Sequence, residues 1–247
     1  MNRSAGQPDD PAERPDEQPA LAAPFTLGAV TAVRHGQSVA NLAFAEAART
    51  GATGLPVDGT DADVALSDLG LRQATALGRW LAALDEAPDL VVCSPYRRAR
   101  QTWTVMERTA GGLGRTSPRA LVDERLRDRE MGVFELHPPA AVQRRAPQEA
   151  ERRARLGDWA YRPPGGEALA DVVLRVRDLL AQLDRSAPGQ RVLLIAHDAV
   201  VVALGHIITG IGATVPDDVP PVPNASVSHW RGDGRHLRLT SWAATDW

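Results

Sequence analysis

The chain has 247 residues, 43% of them apolar, and a formal net charge of −3, enough for a well-filled core and a poor fit to a broad nucleic-acid-binding surface. All 28 basic residues are arginine, which excludes both a Schiff-base lysine and a P-loop lysine. Cys93 is the only cysteine, no run approaches membrane-spanning length, and the N-terminus lacks the basic-then-apolar form of a signal peptide, so no internal disulfide or cysteine zinc site is expected and the expected location is cytoplasmic.

Residues 1–24 carry five prolines among scattered acids and read as a disordered tail. The apolar run Leu27 to Val33 then predicts a buried strand that ends in Arg34-His35-Gly36. A helix is expected from about Ser38 to Arg49, followed by a glycine- and aspartate-rich loop, 51–63. Ser67 is a plausible N-cap for the next helix, in which Leu69, Ala76, Leu77, Trp80, Leu81 and Leu84 share one apolar face. Leu90 to Cys93 is a second strand, and Ser94-Pro95 opens a helix running to about Arg108. Ala120 to Val122 is a third strand, leading into the charged loop Asp123 to Gly132.

Residues 138–155 predict one arginine-rich helix, and Arg162-Pro163-Pro164-Gly165-Gly166-Glu167 a turn. Leu169 to Leu183 repeats its apolar residues at helical spacing. Arg191 to Ala196 is the strongest buried strand and ends, like the first, in a histidine, His197. A helix to Thr209, a proline-rich loop and two strands, 226–230 and 236–242, joined by Arg231-Gly232-Asp233-Gly234 complete the chain. The alternation predicts an α/β fold of three layers: a mostly parallel sheet with helices on both faces and an antiparallel edge hairpin. One domain, 25–247, is expected, with 133–165 as a small helical cap insertion.

Three chemically equipped segments thus fall at the carboxyl ends of buried strands, where ligands bind in open α/β sheets. Arg34 offers a guanidinium fork suited to phosphate or carboxylate oxygens, and His35 would sit in that anion pocket as nucleophile or acid–base group. Arg97 and Arg100 flank Arg98 but should point elsewhere on a helix.

The combination strongly resembles the histidine phosphatase superfamily, also called phosphoglycerate mutase-like. The likeness rests on Arg34-His35-Gly36 with Asn41, on Leu66-Ser67-x-x-Gly70-x-x-Gln73-Ala74, on Ser94-Pro95 followed by Arg98-Ala99-x-Gln101-Thr102, and on the strand ending in His197. The proline-glycine turn places it nearest the bacterial small-molecule phosphatase branch. The resemblance implies that His35 is the catalytic nucleophile and that Arg34, Asn41, Arg98 and His197 bind phosphate. It puts the proton donor at Asp128, four residues before Gly132, with Glu124 and Glu130 as alternatives. Asp198, where a glycine is common, departs from the pattern. No cofactor and no metal are implied. The expected activity is that of a metal-independent phosphomonoesterase acting on a small phosphorylated substrate through a phosphohistidine, with no nucleic-acid or membrane partner; the sequence gives no reading of oligomeric state. A mutase or a phosphate-binding pseudoenzyme is the alternative, the first disfavoured because Asp128-Arg129-Glu130-Met131-Gly132 replaces the Glu-Arg-His-Tyr-Gly segment of the sugar-phosphate mutases.

Overall fold

The structure is a computed structural model that describes residues 21–54, 59–218 and 222–247. Six strands form one sheet: β1 (Ala29–Arg34), β2 (Leu90–Cys93), β3 (Leu121–Val122), β4 (Arg191–Ala196), β5 (Val227–Gly232) and β6 (Leu237–Ala244), in the order β3-β2-β4-β1-β5-β6. The first four are mutually parallel, and β5 and β6 add the antiparallel edge. β1 and β4 are apolar on both faces because helices cover both, and a strand so placed has no solvent side on which to alternate.

On one face α6 (Leu169–Ser186) and α7 (Asp198–Thr209) bury Val172, Val176, Leu180, Val200 and Leu204 against Val30, Val192 and Leu194. On the other, α2 (Asp68–Ala83) and α3 (Arg97–Gly112) bury Leu77, Leu81, Trp103 and Met106 against Val33, Val91, Leu193 and Ile195. α1 (Val39–Thr50) starts at Ser38, whose hydroxyl accepts from Asn41 N–H while the Asn41 side chain accepts from Ser38 N–H, a reciprocal cap. Ser67 caps α2 as expected. Among the described residues no helix is long and apolar enough to cross a membrane.

Three expectations need adjusting. The single helix over 138–155 is two, α4 (Pro139–Arg145) and α5 (Pro147–Ala160): Pro147 cannot continue a helix but fits the first turn of the next. Leu69 lies on the outer side of α2, 41% exposed, and the buried stripe is Gly70, Ala74, Leu77, Gly78 and Leu81. Of the segment read as a tail, residues 1–20 lie outside the described residues, whereas Leu21 pairs with Ile211 and Pro24 with His236.

Candidate active site

Strand register assembles the site. Arg34 is the partner of Ala196 across the β1–β4 ladder, so the residues that follow, His35 and His197, leave the sheet side by side, with ring centroids 5.0 Å apart. Cys93 pairs with Ile195, which brings Ser94 to the same edge, its hydroxyl 2.8 Å from Nε2 of His197. Two glycines let the loops close around this point: a Cβ on Gly36 would stand 2.6 Å from the Gly70 carbonyl oxygen, and one on Gly70 would stand 2.1 Å from that of Gln37.

His35 is buried, and its Nδ1 lies 2.7 Å from its neighbour's carbonyl, Gly36 O. A carbonyl only accepts, so Nδ1 carries the proton and Nε2 keeps its lone pair. Arg98 Nε donates to that Nε2 at 3.2 Å. Burial, reinforced by the positive potential of His197, Arg98 and Arg34, holds the His35 pKa well below 6.5, so the ring is neutral at physiological pH.

His197 is fully buried. Ser94 Oγ accepts from Tyr96 N–H at 3.3 Å and lies 2.8 Å from Nε2; assigning Ser94 as the donor there leaves the ring proton on Nδ1, the nitrogen that faces Asp128. That Nδ1 lies 3.2 Å from Oδ2 of Asp128 but makes no aligned hydrogen bond. Arg34 donates to Val222 O and pairs with Asp198 at 3.1 Å, while its buried Nε has no partner among the described residues. Asp198, the departure from the family pattern, therefore holds Arg34 in place. Asn41 uses Oδ1 as acceptor for Ser38 and for Asn224 Nδ2, leaving its own Nδ2 as the remaining donor.

Arg98, on the first turn of α3, is the hub. Its NH1 and NH2 grip the Asp61 carboxylate at 2.9 and 3.0 Å, and NH2 also reaches Asp128 Oδ2 at 2.7 Å. Burial alone would raise the Asp128 carboxyl, but His197 and Arg98 hold it well below the usual carboxylate range. Burial raises Asp61, against the pull of Arg98. Glu130 instead pairs with Arg127 at 3.0 Å, and Glu124 is exposed and does not line the cavity. Arg97 and Arg100 are exposed, as their helical positions require.

The loop carrying Asp128 is fastened from behind. Glu167 is buried and accepts from Arg127 NH2 (2.6 Å), from Arg175 Nε and NH2 (2.9 Å each) and from Glu130 N–H (3.2 Å). Arg175 also donates to the carbonyl of Asp128 itself at 3.0 Å. Gly132 closes the loop in a left-handed conformation, φ +54°, where a Cβ would fall 2.2 Å from Pro164 O.

Donor atoms of His35, Asp128 and His197 lie within 4.8 Å of one another, a spacing that could hold a metal ion. The Arg98 guanidinium already touches two of these groups, Nε2 of His35 and Oδ2 of Asp128. A cation there would meet a fixed positive charge, whereas a phosphoryl group would complement it. Arg34, His35, Arg98 and Asp128 open into a cavity of about 680 Å³ that extends under α5.

Asp61, Ser94, Asn224 and Glu167 escape sequence reasoning as members of this arrangement. Asp61 sits in an aperiodic loop; Ser94 and Glu167 fall inside recognisable segments that carry no sign of whom they touch.

Residues 30–245 match the family described as the histidine phosphatase superfamily (branch 1). The chain is 32% identical over 155 residues to a 2,3-bisphosphoglycerate-dependent phosphoglycerate mutase of Methylorubrum populi, covering 60% of this chain and 69% of that one. It is 29% identical over 197 residues to the glucosyl-3-phosphoglycerate phosphatase of Mycobacterium tuberculosis, covering 75% and 83%. A solved structure of mycobacterial glucosyl-3-phosphoglycerate phosphatase in complex with VO3 superposes with a TM-score of 0.71 at 28% identity, over 88% of this chain and all of that one.

Proposed function

Because the chain belongs to the histidine phosphatase superfamily, branch 1, we propose that it is a metal-independent phosphomonoesterase that releases phosphate from a small phosphorylated metabolite through a phosphohistidine on His35. One observation carries this reading: two buried nitrogens, Arg34 Nε and His197 Nδ1, lack hydrogen-bond partners among the described residues beside the unprotonated Nε2 of His35. Buried donors are otherwise almost always satisfied, and phosphoryl oxygens would satisfy both.

In this mechanism Nε2 of His35 attacks phosphorus as the bond to the alcohol oxygen breaks in line. Arg34, Arg98 and His197 neutralise the equatorial oxygens, with Asn41 as a further donor, and Asp128 passes its proton to the leaving oxygen. Asp128 is ionised in the unliganded site. An entering phosphoryl group draws Arg98 and His197 away from it, removing the two largest influences that depress its pKa, and a phosphomonoester near neutrality brings a proton to share. Water then attacks the phosphohistidine, Asp128 accepts its proton, and phosphate leaves with His35 neutral again. A cytoplasmic location belongs to the same proposal, supported by a lone buried Cys93.

Mixing with labelled phosphomonoester and quenching in alkali should trap a base-stable, acid-labile phosphoenzyme, equally in EDTA and absent from His35→Ala. Label that survives acid, or that requires added metal, sinks the assignment. The mutase named for the Methylorubrum relative is the second reading. Product analysis with 3-phosphoglycerate separates the two: free phosphate for a phosphatase, 2-phosphoglycerate for a mutase.

A further inference from the structure

The cavity is larger than a phosphoryl group needs, and its far wall bears on what the rest of the substrate is. Beyond the phosphoryl subsite the wall carries two arginines, Arg129 and Arg153, and one histidine, His137, against four acids, Glu130, Glu135, Asp158 and Asp217. The chain has no lysine, and the two internal segments outside the description, 55–58 and 219–221, contain no basic residue.

Arg129 is committed on all three of its nitrogens, and Arg153 on two of three. Arg129 spends Nε on the carbonyl of Glu167 (2.8 Å), NH2 on that of Tyr161 (2.8 Å) and NH1 on Asp158 (3.1 Å), and its side chain is only 10% exposed. Arg153 forks onto both oxygens of the same carboxylate, at 2.8 and 3.0 Å. Asp158 thus joins the two, while its own side chain is 41% exposed. Among the described residues of this wall, a second anionic group on the substrate would find only the outer NH1 edge of Arg153 uncommitted, and it would face four carboxylates.

Resting on the phosphatase reading above, we propose that Asp158 is a specificity-determining residue, and that the substrate is a phosphomonoester whose alcohol portion carries no second anionic group. Hydroxyls on that portion would donate to the carboxylates of the wall, which accept and do not donate. This separates the chain from the relatives named for phosphoglycerates, molecules that carry a carboxylate beside the phosphate.

The test uses two substrates of one skeleton, glycerol 3-phosphate and 3-phosphoglycerate, which differ by a hydroxymethyl against a carboxylate. Wild-type kcat/KM for phosphate release should favour glycerol 3-phosphate by tenfold or more. Asp158→Asn should move that ratio toward 3-phosphoglycerate by about tenfold, chiefly through a lower KM for the anionic substrate. Arg153→Gln, which alters an exposed side chain and leaves Asp158 less compensated, should move it the other way. A wild-type preference for 3-phosphoglycerate, or a ratio that neither variant moves, overturns the inference. Failure to hydrolyse either compound or p-nitrophenyl phosphate, with no phosphoenzyme formed, overturns the phosphatase reading and this inference with it.

Discussion

At the scale of single residues, the site depends on where protons sit. If Asp128 protonates the leaving oxygen, its value follows how badly that oxygen needs a proton. Asp128→Asn should slow burst-phase phosphoenzyme formation from alkyl phosphates by about 10²–10⁴-fold, and from p-nitrophenyl phosphate far less. Glu124→Gln and Glu130→Gln should leave that contrast in place; if either reproduces the loss and Asp128→Asn does not, the donor is misassigned. His35 makes a second, thermodynamic prediction. Its folded pKa lies below the ordinary 6.5, so as pH falls through 6.5 the unfolded chain takes up a proton that the folded chain refuses. Folding stability is therefore lost as pH falls, by up to about 1.4 kcal/mol per pH unit while only the unfolded state is protonated. Denaturant titrations at pH 7.5 and 5.5 should show His35→Ala gaining on wild type at the lower pH; a pH-independent difference would contradict the depressed pKa.

At the scale of elements, the charged loop is held by its neighbours more than by its own turns. Glu167, on the proline-glycine turn, and Arg175, on α6, grip the backbone around Asp128 from the side away from the cavity. Glu167→Gln keeps the shape but loses the charge that binds two guanidiniums. Its kcat for alkyl phosphates should fall about tenfold, while KM and the phosphoenzyme burst from p-nitrophenyl phosphate change little, because the acid loses its aim and the phosphoryl grip does not. An equal loss on both substrates would assign Glu167 a purely structural role. The histidines and their strands were legible because each is a continuous apolar run that ends abruptly in a polar, titratable group, Arg34-His35 or His197. The Asp61–Arg98–Asp128 pairing was not, since it joins three segments distant in sequence and leaves no period in any of them. Residues 138–155 misled for a different reason: uniform arginine content masked Pro147, a local break with a mechanism of its own.

At the scale of the whole molecule, strand alternation made the α/β class and the antiparallel edge readable, because parallel strands buried on both faces need continuous apolar runs and the edge hairpin does not. Which strand lies between which others is invisible to periodicity, and the order β2-β4-β1 is what brings three strand ends to one point.

That order also sets a timetable. β1 comes early in the chain, yet the histidine at its end, His35, finds its companion only when β4, from far downstream, slots between β1 and β2. Pairings this distant close late, because the loop entropy must be spent before the contacts return it. In refolding from denaturant, helical signal should return first, and both phosphatase turnover and phosphate binding should appear together in the slowest phase. Turnover that recovers with the early helical phase would break this link. A chain halted before residue 191 would carry Arg34, His35 and Arg98 and still be chemically silent, so activity serves as a reporter that the last parallel strand has been laid in.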